Sequence, residues 1–241
     1  MPARVARAQR LDAASPSRHN SVMTSDSPEA TLASYPVSRE TRAKLETLVA
    51  ELRRWQPVKN LVGPGTLDQV WSRHVADSLQ LIDLAPPDAT RWLDLGSGAG
   101  FPGLVVAIAL ADRPGFRMDL VESNARKCAF LRHVARVTGA PVRVHDARIE
   151  AAVPGFAGET DVVSARALAP LDTLLDWCGE LLKTGAVGLF PKGAGVESEL
   201  TPAVKSLRLV IEQIPSRTDS RARVLRVRWL SRDEASRNEE S

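Results

Sequence analysis

A glycine-rich stretch, Asp94-Leu-Gly-Ser-Gly-Ala-Gly-Phe-Pro-Gly103, has the residue types and spacing of a loop that holds a nucleotide-like cofactor. Glycines allow a backbone to turn sharply after a strand and to approach a ligand closely. The dinucleotide fingerprint GxGxxG is matched by Gly98, Gly100 and Gly103. The acidic-x-G-x-G-x-G loop that is typical of S-adenosylmethionine enzymes is matched equally, beginning at Asp94. Two classes of cofactor therefore compete for this loop.

Three features favour S-adenosylmethionine. Asp94 stands two residues before the first glycine, Gly96, inside the end of a predicted strand. Pro102 lies where a first helical turn would expose its amides to a pyrophosphate, and proline removes one of those donors. The chain also closes with two strand-like segments separated only by a turn, and such an antiparallel pair fits a methyltransferase sheet better than a nicotinamide domain. A nicotinamide-dependent oxidoreductase remains the alternative enzyme.

Charged residues after the later strands extend the same site. Glu122 directly follows the second predicted strand, where a carboxylate accepts hydrogen bonds from both hydroxyls of a ribose. Ile149 and Glu150 follow the third strand, so we expect their backbone groups to read an adenine edge. Arg166 follows the fourth strand and is expected to bind a methionine carboxylate or to orient the acceptor base. Lys192 leaves the fifth strand, where an exposed lysine would suit a nucleic-acid phosphate.

The elements that position these residues alternate between strand and helix after Pro87. Short apolar segments predict strands at 91–95, 118–121, 142–144, 161–164, 186–190, 207–214 and 224–230. Helical periodicity predicts helices between most of them, including 124–137, which ends at Gly139, and 171–182. Strands that alternate with helices of this length form a parallel, doubly wound α/β sheet. We therefore predict a mostly parallel, Rossmann-like sheet of seven strands.

The segment before the sheet predicts an N-terminal helical cap. Apolar residues recur every three or four positions from Ser38, an expected N-cap, to Pro57, which is expected to end the first helix. A second amphipathic helix is predicted over about 68–84. His74 and Asp77 lie three positions apart on it and share a face. We expect them either to fold over the site and contact the substrate or to form a structural hydrogen bond that fixes this helix to the sheet.

Composition and length bound the domain organisation. The chain has 241 residues, of which 44% are hydrophobic and 25% charged, and a formal net charge of +3. These values are ordinary for a globular protein. We expect an extension without fixed structure at 1–37, the helical cap at 38–88, the sheet domain at 89–231 and a frayed tail at 232–241.

Several function classes are not favoured by the sequence. No apolar run approaches the roughly 20 residues that a membrane helix needs, and no secretory signal is recognised. We therefore expect a cytoplasmic protein that does not bind membranes. The two cysteines, Cys128 and Cys178, form no metal-binding pattern, so no metal site is expected.

Several separated segments are specific as an ordered set. They are Asn60-Leu61, Arg73-His74-Val-Ala-Asp77-Ser78-Leu79, Asp94 to Gly103, Lys127 with Phe130-Leu131, Arg148-Ile149-Glu150, Ser164-Ala-Arg166-Ala167 and Lys192-Gly193. On these segments the chain resembles the RsmG family, also called GidB, of bacterial 16S rRNA guanine-N7 methyltransferases. The resemblance covers roughly Asn60 to Leu230. It implies S-adenosylmethionine as methyl donor and a guanine N7 in a 16S rRNA loop near the decoding site as acceptor.

The resemblance also implies which residues form the sites. Carried over residue by residue, the cofactor pocket comprises Gly96, Phe101, Glu122, Ile149, Glu150 and Arg166. The neighbouring positions expected to bind the cofactor are Ser97, Gly98, Gly100 and Ser123. The substrate-binding candidates are Asn60, His74, Asp77, Lys192 and Arg223. Arg166 and Lys192 are candidates for positioning the reactants, and no residue is identified as catalytic. The last strand, Arg223-Val-Leu-Arg-Val, is less apolar than is usual in the family, so the sequence leaves the burial of this edge strand open.

The expected acceptor explains why no catalytic base is needed. Guanine N7 carries a lone pair and has no proton to lose, so the enzyme has to align the reacting atoms. The expected partner is 16S rRNA, either naked or within the 30S subunit or its precursor, and the protein is expected to act as a monomer. A non-enzymatic alternative is a methyltransferase-like RNA-binding or assembly protein that keeps the pocket without turnover.

Overall fold

Seven strands form one sheet through the middle of the molecule. The computed structural model describes residues 26–59, 61–63, 65–203 and 208–230. The strands are β1 (Arg91–Leu95), β2 (Arg117–Glu122), β3 (Val142–Asp146), β4 (Val162–Ala165), β5 (Val187–Lys192), β6 (Leu209–Pro215) and β7 (Arg223–Trp229). They lie in the order β3-β2-β1-β4-β5-β7-β6. The predicted α/β class and the seven predicted strands are confirmed, with small shifts at the strand ends.

The first five strands are parallel, and the last two reverse direction. Leu95 at the end of β1 lies beside Val121 of β2 and Ala165 of β4, so the carboxyl ends of these strands meet at one edge of the sheet. Strand β7 is antiparallel to both β5 and β6. The predicted closing hairpin is therefore confirmed, but its second strand lies inside the sheet.

The last strand, β7, is buried and is not the edge strand that the sequence suggested. Val224, Leu225 and Val227 of β7 are fully buried. The charged side chains of the strand do not keep it out of the core, because β7 has a hydrogen-bonded neighbour on each side. Its arginines remain half-exposed, which long side chains achieve by extending toward water from a buried backbone.

Helices cover both faces of the sheet. They are α1 (Pro28–Leu32), α2 (Arg39–Lys59), α3 (Asp77–Leu79), α4 (Gly103–Ala109), α5 (Ala125–Thr138), α6 (Ile149–Ala152), α7 (Leu171–Lys183) and α8 (Val196–Ala203). Helix α5 begins after Asn124, whose side chain accepts hydrogen bonds from two first-turn amides, and ends at Gly139 with φ of 66°. One apolar cluster joins α2, α4 and α5 to the sheet, and a second joins α7 to it. Within the described residues, no helix is both long and apolar enough to cross a bilayer.

Ordered structure begins before the boundary at residue 37 that the sequence suggested. The Asp26 carboxylate accepts hydrogen bonds from the N–H groups of Trp71 and Ser72, at 2.9 and 2.7 Å. Helix α1 and the buried Tyr35 follow. Composition did not predict ordered structure here, because this segment is held by hydrogen bonds to otherwise unpaired helix amides and has no apolar stripe. Residues 1–25 and the predicted tail at 232–241 lie outside the described residues.

The first cap helix, α2, starts where predicted and ends later. Ser38 Oγ accepts the N–H of Thr41 at 3.0 Å, as an N-cap does. The predicted end at Pro57 is wrong, because the helix continues to Lys59. A proline removes only its own N–H from the helical ladder, and so near a helix end the last turn can still close.

The second predicted cap helix is not one regular helix. Residues 67–84, which we call the cap segment, contain a 3-10 turn (Leu67–Gln69), a π-helix (Trp71–Ala76), α3 and a second 3-10 turn (Ile82–Leu84). A π-helical turn changes which side chains face the core relative to an α-helix. Here Trp71, His74, Val75 and Ala76 are all buried. The cap segment therefore presses more of its surface onto the sheet domain than an amphipathic helix would.

Candidate active site

The glycine loop and Glu122 are joined directly. The loop turns at Gly96, Gly98 and Gly100, whose φ angles of 61°, 54° and 86° lie in the left-handed region that glycine adopts without steric cost. The N–H of Gly98 donates to Glu122 Oε2 at 3.0 Å, and the N–H of Asn124 donates to Oε1 at 2.8 Å. Two expected parts of the cofactor site are thus held together at the carboxyl ends of β1 and β2.

The glycine loop is open at one of its three turns and tightly packed at another. A Cβ added at Gly98 would meet nothing nearer than the Gly96 carbonyl oxygen, at 3.7 Å, so the loop is open there. A Cβ added at Gly96 would instead lie 2.5 Å from Leu168 Cδ1, so this glycine is required for packing. Glu122 is 8% exposed, and its oxygens keep lone pairs that can accept from ribose hydroxyls. Open space at Gly98 and the remaining acceptor capacity of Glu122 agree with the cofactor site that the sequence predicts.

Asp94 supports the loop from inside the protein. It is fully buried, and its Oδ1 accepts a hydrogen bond from Ser164 Oγ at 2.7 Å. That hydroxyl in turn accepts from Trp92 Nε1 at 2.9 Å. Burial raises the pKa of Asp94 to about 6, although the Ser164 hydrogen bond opposes the rise. A Cβ at Gly103 would come within 2.8 Å of the same carboxylate, so Asp94 and the loop are closely packed.

Arg166 connects the glycine loop to the cap segment. Its Nη2 lies 2.8 Å from His74 Nδ1, and its Nη1 donates to the Arg73 carbonyl oxygen at 3.1 Å. Its Nε donates to the Phe101 carbonyl oxygen at 3.4 Å, and the guanidinium carbon lies 5.7 Å from the centre of the Phe101 ring. Nη1 also lies 3.5 Å from Asp77 Oδ2. Four residues that the sequence predicted for the two sites therefore form one cluster.

His74 is a neutral member of this cluster. Arginine can only donate, so His74 Nδ1 accepts from Arg166 and the imidazole proton lies on Nε2. Burial, with the positive charges of Arg166 and Arg73, lowers the pKa of His74 to about 4. The ring stacks on Phe101 with centres 5.0 Å apart. An imidazole whose basic nitrogen is occupied in this way cannot serve as a general base.

A cleft of about 1060 Å³ opens beside the cluster. The cap segment, the residues that follow β4 and the turn between β6 and β7 all contribute to its walls. Asp77 ties two of these walls together, because its Oδ1 accepts from Thr218 Oγ1 at 3.0 Å. The cations that line the cleft are Arg73, Arg166, Lys192, Arg221 and Arg223. Three acids, Asp77, Glu199 and Asp219, also line the cleft, so its five cations leave an excess of two positive charges, which favours an anionic ligand.

Lys192 lines the cleft but is not the exposed cation that the sequence suggested. Its side chain is 10% exposed, and its Nζ lies 2.7 Å from Glu199 Oε2 and donates to the Ala169 carbonyl oxygen at 2.8 Å. The expectation of a free, phosphate-binding lysine is therefore wrong. Sequence reasoning missed Glu199, because a turn and a helix start separate it from Lys192 and no periodic pattern links the two residues.

Comparison with known proteins decides the family. Residues 41–220 match the GidB family model, described as rRNA small subunit methyltransferase G. A protein named ribosomal RNA small subunit methyltransferase G from Methylorubrum extorquens (strain PA1) is 59% identical over 210 residues, which cover 87% of this chain and 99% of the relative. The protein of the same name from Methylobacterium radiotolerans is 62% identical over 200 residues, covering 83% and 93%. This chain belongs to that family.

Membership in the rRNA small subunit methyltransferase G family confirms the resemblance and makes the chain an S-adenosylmethionine-dependent methyltransferase. Solved structures with similar folds include a mutant of MtNAS in complex with S-adenosylmethionine, with a TM-score of 0.51 and 16% identity over 80% of this chain and 73% of that one. Cofactor-bound Rv0187 from MTB has a TM-score of 0.54 and 14% identity over 78% and 91%. At these identities the likeness shows the fold alone. The fold agrees with the family.

The remaining family-implied cofactor residues lie around the end of β2. Ile149 and Glu150 begin α6, and the N–H of Ala147 just before them donates to the Glu122 carbonyl oxygen at 3.1 Å. Ile149 is half-buried and Glu150 exposed. Ser123 is exposed immediately after Glu122. The structure therefore brings these positions next to the glycine loop.

Three of the predicted site residues are not placed where they could readily contact a ligand, or are not described by the structure. Ser97 is buried, and its hydroxyl donates to the Asp94 carbonyl oxygen at 2.9 Å. Arg223 lines the cleft, but its Nη1 donates to carbonyl oxygens of its own turn. Asn60 lies outside the described residues. Among the residues that are described, no group of three or more His, Cys, Asp or Glu side chains could hold a metal ion.

Proposed function

We propose that this member of the family transfers a methyl group from S-adenosylmethionine to N7 of a guanine in 16S rRNA, near the decoding site of the small ribosomal subunit. The position of Arg166 carries the proposal. This residue bonds to the glycine loop through the Phe101 carbonyl oxygen and also lines the cationic cleft. A cofactor site and a cleft that can receive a base therefore meet at one side chain.

The polar groups near Arg166 support an acceptor atom without a proton to lose. Guanine N7 has a free lone pair at neutral pH. His74 is neutral, with its basic nitrogen bonded to Arg166. Asp77 Oδ1 accepts from Gln80 and Thr218, while its Oδ2 faces Arg166. Neither side chain is free to remove a proton, as methylation of an amine or a hydroxyl would require.

In this proposal each cofactor residue has a distinct role. Bound S-adenosylmethionine supplies a methyl group that its positively charged sulfur activates. Glu122 accepts hydrogen bonds from the ribose, and the backbone at Ile149 and Glu150 receives the adenine. Arg166 attracts the methionine carboxylate through its charge and the second N–H of Nη2, and its bond to His74 keeps the guanidinium in place. The chain accelerates transfer by holding the reacting atoms in line, about 3 to 3.5 Å apart.

The cleft supports RNA as the partner. Arg73 and Arg221 are exposed on its rim and can neutralise phosphates, which provides much of the affinity of proteins for RNA. Asn60 and Arg223 stay predicted RNA contacts. Naked 16S rRNA and RNA in the 30S subunit or its precursor all present such phosphates. Because one chain builds both the cofactor site and the cleft, we propose that it acts as a monomer. We also propose that it acts in the cytoplasm, where its rRNA substrate is found.

Methyl transfer in vitro tests the proposal. The full chain is incubated with radiolabelled S-adenosylmethionine and either deproteinised 16S rRNA or 30S subunits, and the RNA is then digested to nucleosides. The label should appear in 7-methylguanosine alone, and comparing the two substrates shows which particle the protein uses. Label in another nucleoside would refute N7 as the acceptor. Cofactor binding without label on either substrate would indicate an assembly protein instead.

A further inference from the structure

Glu199 presents an unused carboxylate oxygen at the cleft. The residue lies on α8, lines the cleft, and has a side chain that is 32% exposed. Its Oε2 is held by Lys192 Nζ at 2.7 Å and by the N–H of Leu171 at 2.8 Å. Its Oε1 forms no hydrogen bond within the described part of the chain. One oxygen therefore fixes the side chain, and the other remains an acceptor.

The other acidic side chains of the cleft have both oxygens in use. Asp77 accepts from Gln80 and Thr218 with one oxygen and faces Arg166 with the other. Asp219 bonds to Arg221 through both of its oxygens. The negative charge of Glu199 is balanced by Lys192, so it does not repel RNA phosphates as an unpaired acid would. Among the described residues of the cleft, Glu199 is thus the acid with a carboxylate oxygen that accepts no hydrogen bond.

Guanine is the base that such a carboxylate recognises. Its Watson–Crick edge carries two adjacent donors, N1–H and the 2-amino group, whereas adenine presents an unprotonated N1 that a carboxylate repels. N7 lies on the opposite side of the purine, so a guanine held by this edge keeps N7 free for methylation. We infer that Glu199 selects guanine by accepting hydrogen bonds from this edge through Oε1. This inference rests on the function proposed above.

A substrate with one donor removed tests the inference. A 16S rRNA fragment with inosine at the target position keeps N1–H, O6 and N7 but lacks the 2-amino group. At saturating RNA and cofactor, the full-length wild type should methylate inosine about 10-fold more slowly than guanine, because a charge-assisted hydrogen bond is lost. In Glu199→Gln the guanine rate should fall, and the ratio of the guanine and inosine rates should approach 1. Affinity for S-adenosylmethionine should not change.

Glu180→Gln is the matched control. Glu180 is also paired with a lysine, Lys183, but on an exposed helix face outside the cleft, so its variant should keep the wild-type ratio. A wild-type ratio near 1 would overturn the inference, and this measurement does not depend on the folding of a variant. A ratio left unchanged by Glu199→Gln would also overturn it, since a purely structural role slows both substrates alike. If the wild type methylates 30S subunits but not the fragment, the same two rates are measured in subunits reconstituted with guanine or inosine at the target position. No methylation of guanine in either form by the wild type would overturn the proposed function, and the inference with it.

Discussion

The Nη2 atom of Arg166 lies 2.8 Å from Nδ1 of His74, and this hydrogen bond joins the segment after β4 to the cap segment. The bond fixes the tautomer of the imidazole and places a permanent charge beside it. The side chain that would otherwise titrate nearest to neutral pH is therefore held uncharged at the edge of the cleft. The charge that His74 and Arg166 contribute to the cleft is therefore the same over the whole physiological pH range.

We expect single-turnover methyl transfer to be nearly independent of pH between about 6.5 and 8.5. The pKa of His74, lowered to about 4 by burial and neighbouring arginines, lies well below this window, so His74 neither gains nor loses a proton within it. Rates are measured at saturating RNA over the window. A rise of about tenfold that follows one titration would reveal a general base and move the acceptor away from N7.

Glu122→Ala should weaken binding of S-adenosylmethionine by about 1 to 3 kcal/mol, measured by calorimetry. The ribose hydroxyls lose a charged acceptor, and the N–H groups of Gly98 and Asn124 lose their partner. Glu159→Ala removes an acid from an exposed ion pair with Arg117 and should leave affinity unchanged. Wild-type affinity in Glu122→Ala would remove this residue from the cofactor site.

Gly98→Val should abolish detectable cofactor binding in a protein that still folds. The φ of Gly98 is 54°, which a β-branched residue resists, and the added side chain would occupy the open space before the loop. Gly115→Val is the control, because Gly115 also has a positive φ, of 74°, and no atom within 4 Å of an added Cβ. Tight binding by Gly98→Val would contradict the placement of the cofactor at this loop.

Asp94→Asn should become more stable relative to the wild type as pH rises. The folded-state pKa of Asp94 is about 6 against an ordinary 3.8, so the wild type loses stability as pH rises through this interval. Asparagine cannot ionise, so its stability relative to the wild type should increase by about 3 kcal/mol over the whole titration, of which about 2 kcal/mol falls between pH 4.5 and 7.5. Urea unfolding of both proteins at about pH 4.5 and 7.5 measures the difference. For the exposed control Asp112→Asn, the difference in unfolding free energy from the wild type should be the same at both pH values. If the stability of Asp94→Asn relative to the wild type decreased as pH rises, the ionised form of Asp94 would be the one favoured inside the protein.

Local patterns predict most of this fold, because each strand is a short apolar run bounded by turn residues. The departures occur where a distant residue decides the outcome. The first amides of the π-helix at Trp71–Ala76 donate hydrogen bonds to the Asp26 carboxylate. Asp26 lies about 45 positions before them in the chain. Periodicity reports which residues prefer to be buried, but it carries no information on such a contact. The cap segment was therefore predicted as an ordinary amphipathic helix.

In the candidate site, too, local patterns predict some features, and contacts between distant residues decide others. The glycine loop and Glu122 were predictable because strand ends in a parallel sheet meet at one edge, and the Gly98 to Glu122 hydrogen bond agrees with that rule. Lys192 was also placed at the correct edge, but its burial depends on Glu199 from α8. The positive charge of a lysine and its position at a strand end do not show whether an acid from another helix will pair with it. The exposed fraction of a lysine has to be read from the folded chain.

Strand β7 is the last element of the sheet to be synthesised, yet it lies between β5 and β6. Until β7 has been made, β5 has an open edge and β6 has no neighbour in the sheet. The residues expected to hold the cofactor, which end at Arg166, precede the cleft wall near Thr218 in the chain. The glycine loop and Glu122 can therefore come together on the first strands before the last wall of the cleft exists.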